Sequence, residues 1–142
     1  MSFSIEIKIR FRAAHRLVKG YKGKCNNIHG EAFTVIFIIG TKQLNEYDMV
    51  VDFGEVKNTL KLWIDDNLDH AYLYCKGDEI GKYLKNLKLR TYEFNNNATA
   101  EIIACELYKI ATILIKDNKS IFIKKVGIIE SFDDNIAWYE GD

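Results

Sequence analysis

The sequence predicts an α+β fold built on an antiparallel sheet, with its elements in the order β-β-α-α-β-β. Alternation of apolar and polar residues near the start of the chain indicates a strand, and apolar stripes with helical spacing in the middle indicate helices. Strands followed by helices and then by strands favour this class over a parallel, doubly wound sheet. The length of 142 residues suits one domain over residues 1–142.

The first two strands are predicted on either side of a long loop. Residues 3–12 alternate strictly between apolar and polar side chains, which is the period of a half-buried strand. Residues 17–30 contain glycines and asparagines and are typical of a loop. Residues 32–39 are apolar on both faces, so the second face of this strand should be covered by helices or by another subunit.

The first long helix is predicted to begin after a capping box. Asp52 occupies the N-cap position and Glu55 the third helical position, an arrangement that satisfies exposed N–H groups at a helix start. The helix should end near Asn67. Its apolar stripe consists of Val56, Leu60, Trp63 and Ile64.

The second half of the chain predicts another long helix and two closing strands. Residues 74–96 are polar and indicate irregular structure with a short helix near 80–84. Asn97 is the predicted N-cap of the long helix that follows. Residues 120–130 and 136–140 are predicted as the closing strands, with the turn between them at residues 133–135. The predicted buried stripe of the helix consists of Ile103, Leu107, Ile110 and Leu114.

Composition excludes several classes of protein. Twenty basic and twenty acidic residues give a formal net charge of zero, which disfavours an electrostatic grip on nucleic acid or on an anionic membrane. No apolar run is long enough for a transmembrane helix, and the first residues do not resemble a signal peptide. The three cysteines, Cys25, Cys75 and Cys105, are odd in number and widely spaced, so we expect reduced thiols and a cytoplasmic location.

Two histidines and a glutamate are predicted to meet at one end of the hairpin. His15 ends the first strand and His29 precedes the second, so pairing of the strands places them side by side. Glu31 lies two residues after His29 and faces the same way in extended backbone. Two imidazoles and a carboxylate form a known catalytic zinc set with an open position, although iron or manganese would accept the same ligands. The competing interpretation is that each histidine is simply solvated or hydrogen-bonded.

Other residues have weaker indications of chemistry. Cys25 lies four residues before His29 in a loop with two lysines, where nearby cations would favour its thiolate, but taken alone it is better interpreted as an inert surface cysteine. Asp69 could orient His70 and stabilise its protonated form. Glu130 ends an apolar strand and is either a charge at the sheet end or an acceptor for a guanidine-like N–H edge.

Six segments, in the same order, resemble motifs of the 6-pyruvoyl-tetrahydropterin synthase and 6-carboxytetrahydropterin synthase family. The resemblance covers nearly the whole chain and includes all three of its histidines. The segments are Phe-Arg-Ala-Ala-His at 11–15, Cys-Asn-Asn-Ile-His-Gly-Glu at 25–31, Val-Asp-Phe at 51–53, Leu-Asp-His at 68–70, Asn-Ala-Thr-Ala-Glu at 97–101 and Ile-Glu-Ser at 129–131.

The resemblance implies the tunnelling fold, a four-stranded antiparallel sheet with two helices on one face. It also implies a homo-oligomer in which three subunits join their sheets into a barrel and two trimers stack into a hexamer. Sites in this family lie between subunits. Residues of one chain therefore need not all serve the same pocket.

The resemblance also implies roles for the candidate residues. His15 and His29 would hold zinc, while Glu31 stands where the family has a third histidine and would make the metal a weaker Lewis acid. Cys25, as thiolate, would be the general base, assisted by His70 and Asp69. The substrate-binding residues would be Thr99, Glu101 and Glu130.

The implied substrate is the small molecule 7,8-dihydroneopterin triphosphate. The four-residue spacing from Cys25 to His29 resembles the queuosine-pathway branch, which forms 6-carboxy-5,6,7,8-tetrahydropterin with loss of acetaldehyde and triphosphate. The alternative product is 6-pyruvoyltetrahydropterin. Because Glu31 replaces histidine, a different pterin lyase or a pterin- or metal-binding protein without turnover also remains open.

Overall fold

The computed structural model describes residues 2–141 and shows an α+β fold, as predicted. Among these residues, no helix combines the length and apolar character needed to cross a lipid bilayer. The helices are α1 (Phe53–Asn67), α2 (Glu79–Asn86) and α3 (Ala100–Leu114). The strands are β1 (Phe3–His15), β2 (His29–Thr41), β3 (Tyr72–Cys75), β4 (Thr91–Phe94), β5 (Ile121–Glu130) and β6 (Ala137–Tyr139).

The strands form one sheet in the order β4-β3-β1-β2-β5-β6. β1 and β2 form a long antiparallel hairpin in which His15 lies opposite His29 and Ala13 lies opposite Glu31. β5 runs antiparallel to β2 on its other side, where Glu130 lies opposite Phe33. The end of β1, the start of β2 and the end of β5 therefore meet at one end of the sheet, where His15, His29, Glu31 and Glu130 lie.

The expectation of a four-stranded, purely antiparallel sheet is wrong. β3 pairs parallel with β1, and β4 pairs parallel with β3, so the sheet has six strands and is mixed. β4 and the second half of β3 lie in the segment 74–96, which the sequence indicated as irregular. Each of these strands has four residues, and all four residues of β3 are buried, so neither strand has a readable alternation.

The two long helices pack on the same face of the sheet, as predicted. Side chains from β1, β2, β5 and both helices belong to a single buried apolar cluster. The predicted stripes are largely correct, although Trp63, Ile110 and Leu114 are only half-buried and two alanines of α3 take their place in the core. The helix residues of the cluster are Val56, Leu60, Ile64, Ile103, Ala104, Leu107 and Ala111.

One predicted helix cap is confirmed and the other is wrong. The Asp52 carboxylate accepts the N–H of Glu55 at 3.1 Å, as the capping box requires. At α3 the N-cap is Thr99, whose hydroxyl oxygen accepts an N–H of the first turn at 3.3 Å. The side chain of Asn97 instead accepts the N–H of Val18 at 2.9 Å and so ties the loop after β1 to the start of α3.

A buried ion pair holds the loop after β1 against β3 and the loop that follows it. The carboxylate of Asp78 is 4% exposed and accepts the Arg16 guanidinium at 2.8 and 3.2 Å and the Tyr72 hydroxyl at 2.7 Å. It also accepts the N–H of Ile80 and thereby caps α2. Burial alone would raise the pKa of Asp78, but the hydrogen bonds from Arg16 and Tyr72 outweigh it and lower the pKa.

Asp78→Asn should reduce the free energy of unfolding by about 3 kcal/mol at pH 7, because asparagine keeps the cap but leaves Arg16 without a charged partner. A carboxyl with a lowered pKa stabilises the fold above its unfolded pKa of about 3.9, and that contribution is lost as the pH falls through the lowered value. The difference in the free energy of unfolding between wild type and Asp78→Asn should therefore become smaller below about pH 4. Urea unfolding at pH 7 and pH 3 measures it.

The matched control for this prediction is Asp65→Asn. Asp65 forms an exposed i,i+4 pair with Lys61 at 2.7 Å, and both side chains are at least 40% exposed. Its replacement should cost only about 0.3–0.5 kcal/mol. Equal losses in the two variants would show that the buried pair has no special role.

Candidate metal centre and adjoining cavity

His15 presents an unpaired ring nitrogen at the end of β1. The residue is 2% exposed, and its Nδ1 lies 2.7 Å from the carbonyl oxygen of Ala98, just before α3. A carbonyl can only accept, so Nδ1 carries the proton and Nε2 carries the lone pair. Among the described residues, Nε2 has no hydrogen-bond partner although it is buried. Leaving such an atom unsatisfied costs about 1–3 kcal/mol, a cost that coordination of a metal would remove.

His29 is oriented in the same way on the neighbouring strand. Its Nδ1 lies 2.8 Å from the carbonyl oxygen of Asn27, so Nε2 again carries the lone pair. The centroids of the His15 and His29 rings are 4.5 Å apart. Metal-binding histidines almost always donate their other ring N–H in this manner, which fixes both tautomer and ring orientation.

Glu31 completes a group with two nitrogen donors and one oxygen donor. Its Oε1 lies 4.0 Å from Nε2 of His29, and its Oε2 accepts the hydroxyl of Ser131 at 2.8 Å. One ligand atom from each of His15, His29 and Glu31 lies within 4.8 Å of the other two, a spacing that one ion can bridge after small side-chain movements. The residues present thus fit a divalent metal.

Burial around His15 favours the form that binds metals. Removal of the ring from water lowers the pKa of His15, and proximity to His29 lowers it further, against the opposing effect of the Ala98 carbonyl. The ring is therefore neutral at pH 7. A neutral imidazole needs to lose no proton when it binds a cation.

His15 and His29 border a cavity of about 440 Å³, a volume within the range of small-molecule sites. Its wall joins the ends of β1 and β5, the start of β2, the loop after β1 and the first turn of α3. The candidate residues that line it are His15, Cys25, His29, Thr99, Glu101 and Glu130.

Cys25 reaches the cavity because the long loop folds back onto the end of β1. The residue lies in a short 3₁₀ helix, Lys24–Asn26, and is half-buried. Its carbonyl oxygen accepts the N–H of Leu17 at 2.8 Å, and the side chain of Asn26 donates to the carbonyl of Leu17 at 2.8 Å. These two bonds hold the thiol at the same cavity as the histidines.

Glu130 contributes a half-buried carboxyl group to the cavity. Burial raises the pKa of Glu130, and the negative charge of Glu31 raises it further. Thr99 and Glu101 lie at the N-terminus of α3 on the same cavity. A ligand that donates N–H groups to Glu130 would replace the water that the carboxylate has lost.

Asp69 and His70 form the predicted pair but lie elsewhere on this chain. Nδ1 of His70 is 2.9 Å from Oδ2 of Asp69, while the N–H of Arg12 donates to Oδ1 of Asp69 at 2.9 Å. Burial opposes ionisation of Asp69, but these bonds outweigh it and lower its pKa. The side chain of His70 is 77% exposed, and neither residue is among the described residues that line the cavity.

Sequence reasoning missed two features of the metal group. The hydroxyl of Ser131 contacts Glu31, although the segment 129–131 pointed only to Glu130. The backbone carbonyls of Asn27 and Ala98 orient the two imidazoles, and no side chain identifies such a role in a sequence.

Comparisons with known proteins give matches over most of the chain. The sequence profile of the family described as 6-pyruvoyl tetrahydropterin synthase matches residues 4–142. The 6-carboxy-5,6,7,8-tetrahydropterin synthase of Rickettsia bellii is 33% identical over 126 residues, which cover 87% of this chain and 91% of the relative. The enzyme of the same name from Rickettsia typhi is 40% identical over 102 residues, which cover 70% of this chain and 73% of the relative.

Solved structures show the same fold. An uncharacterized protein from Wolinella succinogenes superposes with a TM-score of 0.85 at 18% identity and covers 100% of this chain and 99% of its own. The 6-pyruvoyl tetrahydropterin synthase of Caenorhabditis elegans superposes with a TM-score of 0.73 at 23% identity. The superposition covers 100% of this chain and 97% of the Caenorhabditis elegans chain. With the profile match spanning nearly every residue, this chain belongs to the 6-pyruvoyl tetrahydropterin synthase family and has its tunnelling fold.

Proposed function

We propose that this protein is a metal-dependent lyase that converts 7,8-dihydroneopterin triphosphate and one water molecule to 6-carboxy-5,6,7,8-tetrahydropterin, acetaldehyde and triphosphate. The observation that carries the proposal is the pair of imidazoles whose Nε2 lone pairs are free for a metal beside the cavity that Cys25 and Glu130 also line. The relatives from Rickettsia are named for this product. The Cys25–His29 spacing resembles the same, queuosine-pathway branch of the family.

The metal, which we propose to be zinc, would be held by His15, His29 and Glu31. When bound, it would act as a Lewis acid that polarises the side-chain hydroxyls of the substrate and so makes the adjacent C–H protons more acidic. The carbonyls of Ala98 and Asn27 hold both rings in the binding orientation before any ligand arrives. This preorganisation reduces the cost of binding.

The proton-transfer and recognition roles fall to different walls of the cavity. Cys25, as thiolate, would remove a proton from the substrate side chain. Glu130 would accept the planar N–H edge of the pterin ring, and Thr99 and Glu101 would contact the substrate from the start of α3. The two ends of the substrate would thus be held by separate elements.

We further propose that assembly completes the site. Asp69 and His70 form an oriented acid–base pair on the surface, outside the cavity of their own chain. In a trimer-based homo-oligomer, arranged as a hexamer, this pair would lie at a site between subunits. There it would donate a proton to the substrate after Cys25 has removed one. The thiols of Cys25, Cys75 and Cys105 are unpaired, which fits a cytoplasmic enzyme.

His29→Ala should remove the metal, because it deletes one of two nitrogen donors and leaves Glu31 without its neighbour. Purified wild-type protein should contain about one divalent metal per chain, and the variant should contain almost none by elemental analysis. The matched control is His70→Ala, which removes an exposed imidazole outside the cavity and should retain the metal.

The reaction product decides between the proposed function and its alternative. Incubation of metal-loaded wild type with 7,8-dihydroneopterin triphosphate should give the mass of 6-carboxy-5,6,7,8-tetrahydropterin. The mass of 6-pyruvoyltetrahydropterin would assign the protein to the other branch. Metal-free wild type together with an unaltered His29→Ala variant would contradict the metal site itself.

A further inference from the structure

We infer that Ser131 is a positioning residue that makes Glu31 a one-oxygen ligand of the metal. The inference rests on the proposed function, since it concerns how the group His15, His29 and Glu31 holds its ion. It assigns a task to a side chain that borders the metal group but offers no ligand atom to it.

The hydroxyl of Ser131 has a defined direction. Its Oγ accepts the backbone N–H of Ala32 at 3.1 Å, and it lies 2.8 Å from Oε2 of Glu31. An ionised carboxylate can only accept, so the hydroxyl hydrogen points to Glu31. The serine therefore donates one hydrogen bond to Oε2 and cannot turn away without losing the contact with Ala32.

The backbone holds the serine in this place. Ser131 follows directly after β5 and has a φ of 46°, which is uncommon for a residue other than glycine. Its N–H donates to the carbonyl of Ala32 at 2.8 Å, so two bonds join Ser131 to the residue next to Glu31. Strain of this kind persists where surrounding contacts enforce it, and it is frequent at functional sites.

The consequence is an asymmetric carboxylate. Oε2 of Glu31 is engaged by Ser131, whereas Oε1 faces Nε2 of His29 at 4.0 Å. One oxygen and two imidazole nitrogens leave coordination positions open for substrate oxygens. A carboxylate without the serine could rotate and bind the ion through both oxygens, which would occupy one of those positions.

Cobalt(II) binding tests this role without relying on activity. In Ser131→Ala the dissociation constant for cobalt(II) should rise about 10- to 100-fold, the usual cost of removing a group that orients a metal ligand. The visible absorption of bound cobalt should also change, because the number of donors around the ion changes. Ser120→Ala, just before β5 and at the other end of that strand from the metal group, is the matched control and should match wild type in both measurements.

Two further variants separate orientation from folding. Ser131→Gly removes the hydroxyl but adopts a positive φ freely, so it should reproduce the effect of Ser131→Ala even if alanine disturbs the turn. In the Glu31→His background, Ser131→Ala should have little effect, because no carboxylate remains to orient.

The outcomes are distinguishable. If wild type binds cobalt(II) and both Ser131 variants match it in affinity and spectrum, the role of Ser131 is wrong while the metal site stands. If Ser131→Ala lowers the affinity for cobalt(II) equally in the wild-type and Glu31→His backgrounds, the role of Ser131 is also wrong, since Ser131 would then act on the fold and not through Glu31. Failure of wild type to bind cobalt(II) would overturn the metal site and the inference together.

Discussion

Cys25→Ala should leave the fold and the metal intact and reduce turnover of 7,8-dihydroneopterin triphosphate by at least about 100-fold, the range expected for loss of a general base. The position of Cys25 in the structure supports this expectation. Cys25 lines the same cavity as His15 and His29, and its loop is hydrogen-bonded to Leu17 at both Cys25 and Asn26. Steady-state rates measured with metal-loaded enzyme, together with elemental analysis, check both parts.

The other two cysteines provide matched controls. Cys75 is 1% exposed in β3, and Cys105 is half-buried in α3; neither is among the described residues that line the cavity. Cys75→Ala and Cys105→Ala should therefore retain most of the activity, even if the smaller side chain at 75 lowers stability. Full activity in Cys25→Ala would exclude the thiolate as the base.

Glu31→His should increase the rate on 7,8-dihydroneopterin triphosphate by about 100-fold, or create it. Two neutral imidazoles and one carboxylate leave a divalent metal site at net charge +1, whereas three imidazoles leave it at +2. The higher charge better stabilises negative charge that develops on the substrate in a cavity of low dielectric constant. A decrease of about 3 kcal/mol in the activation free energy corresponds to an increase of about 100-fold in rate.

A competing role for Glu31 would give the opposite result. If Glu31 serves as a base in a different pterin reaction, Glu31→His should retain its metal and lose the activity that wild type shows. Parallel assays of rate and metal content distinguish the two. A variant that keeps its metal, loses activity and forms no new product would contradict the interpretation of a family enzyme with a weakened metal.

Much of the architecture could be predicted because it follows from local patterns. The strict alternation in β1 sets which side chains face the core, and pairing of β1 with β2 then brings His15 opposite His29. Glu31 shares their face because strand residues two apart point the same way. The cap at Asp52 is equally local, since donor and acceptor are three residues apart.

Features that depend on distant contacts could not be predicted. β3 and β4 are too short to show a period and exist as strands because β1 offers an edge to β3. The choice of Thr99 over Asn97 as the cap of α3 follows from the bond that Asn97 makes to Val18, 79 residues away. Neither contact leaves a trace in the neighbouring sequence.

By itself, the sequence determined which residues can bind a metal and on which face of the hairpin they lie, because residue type and strand period are local properties. Only the tertiary structure decided how these residues are held. The Ala98 carbonyl that leaves Nε2 of His15 free is 83 residues away, and the hydroxyl that engages Glu31 is 100 residues away. These contacts form only when the N-terminus of α3 and the end of β5 pack against the hairpin. The partners are too far apart in the sequence for any local pattern to predict that they meet.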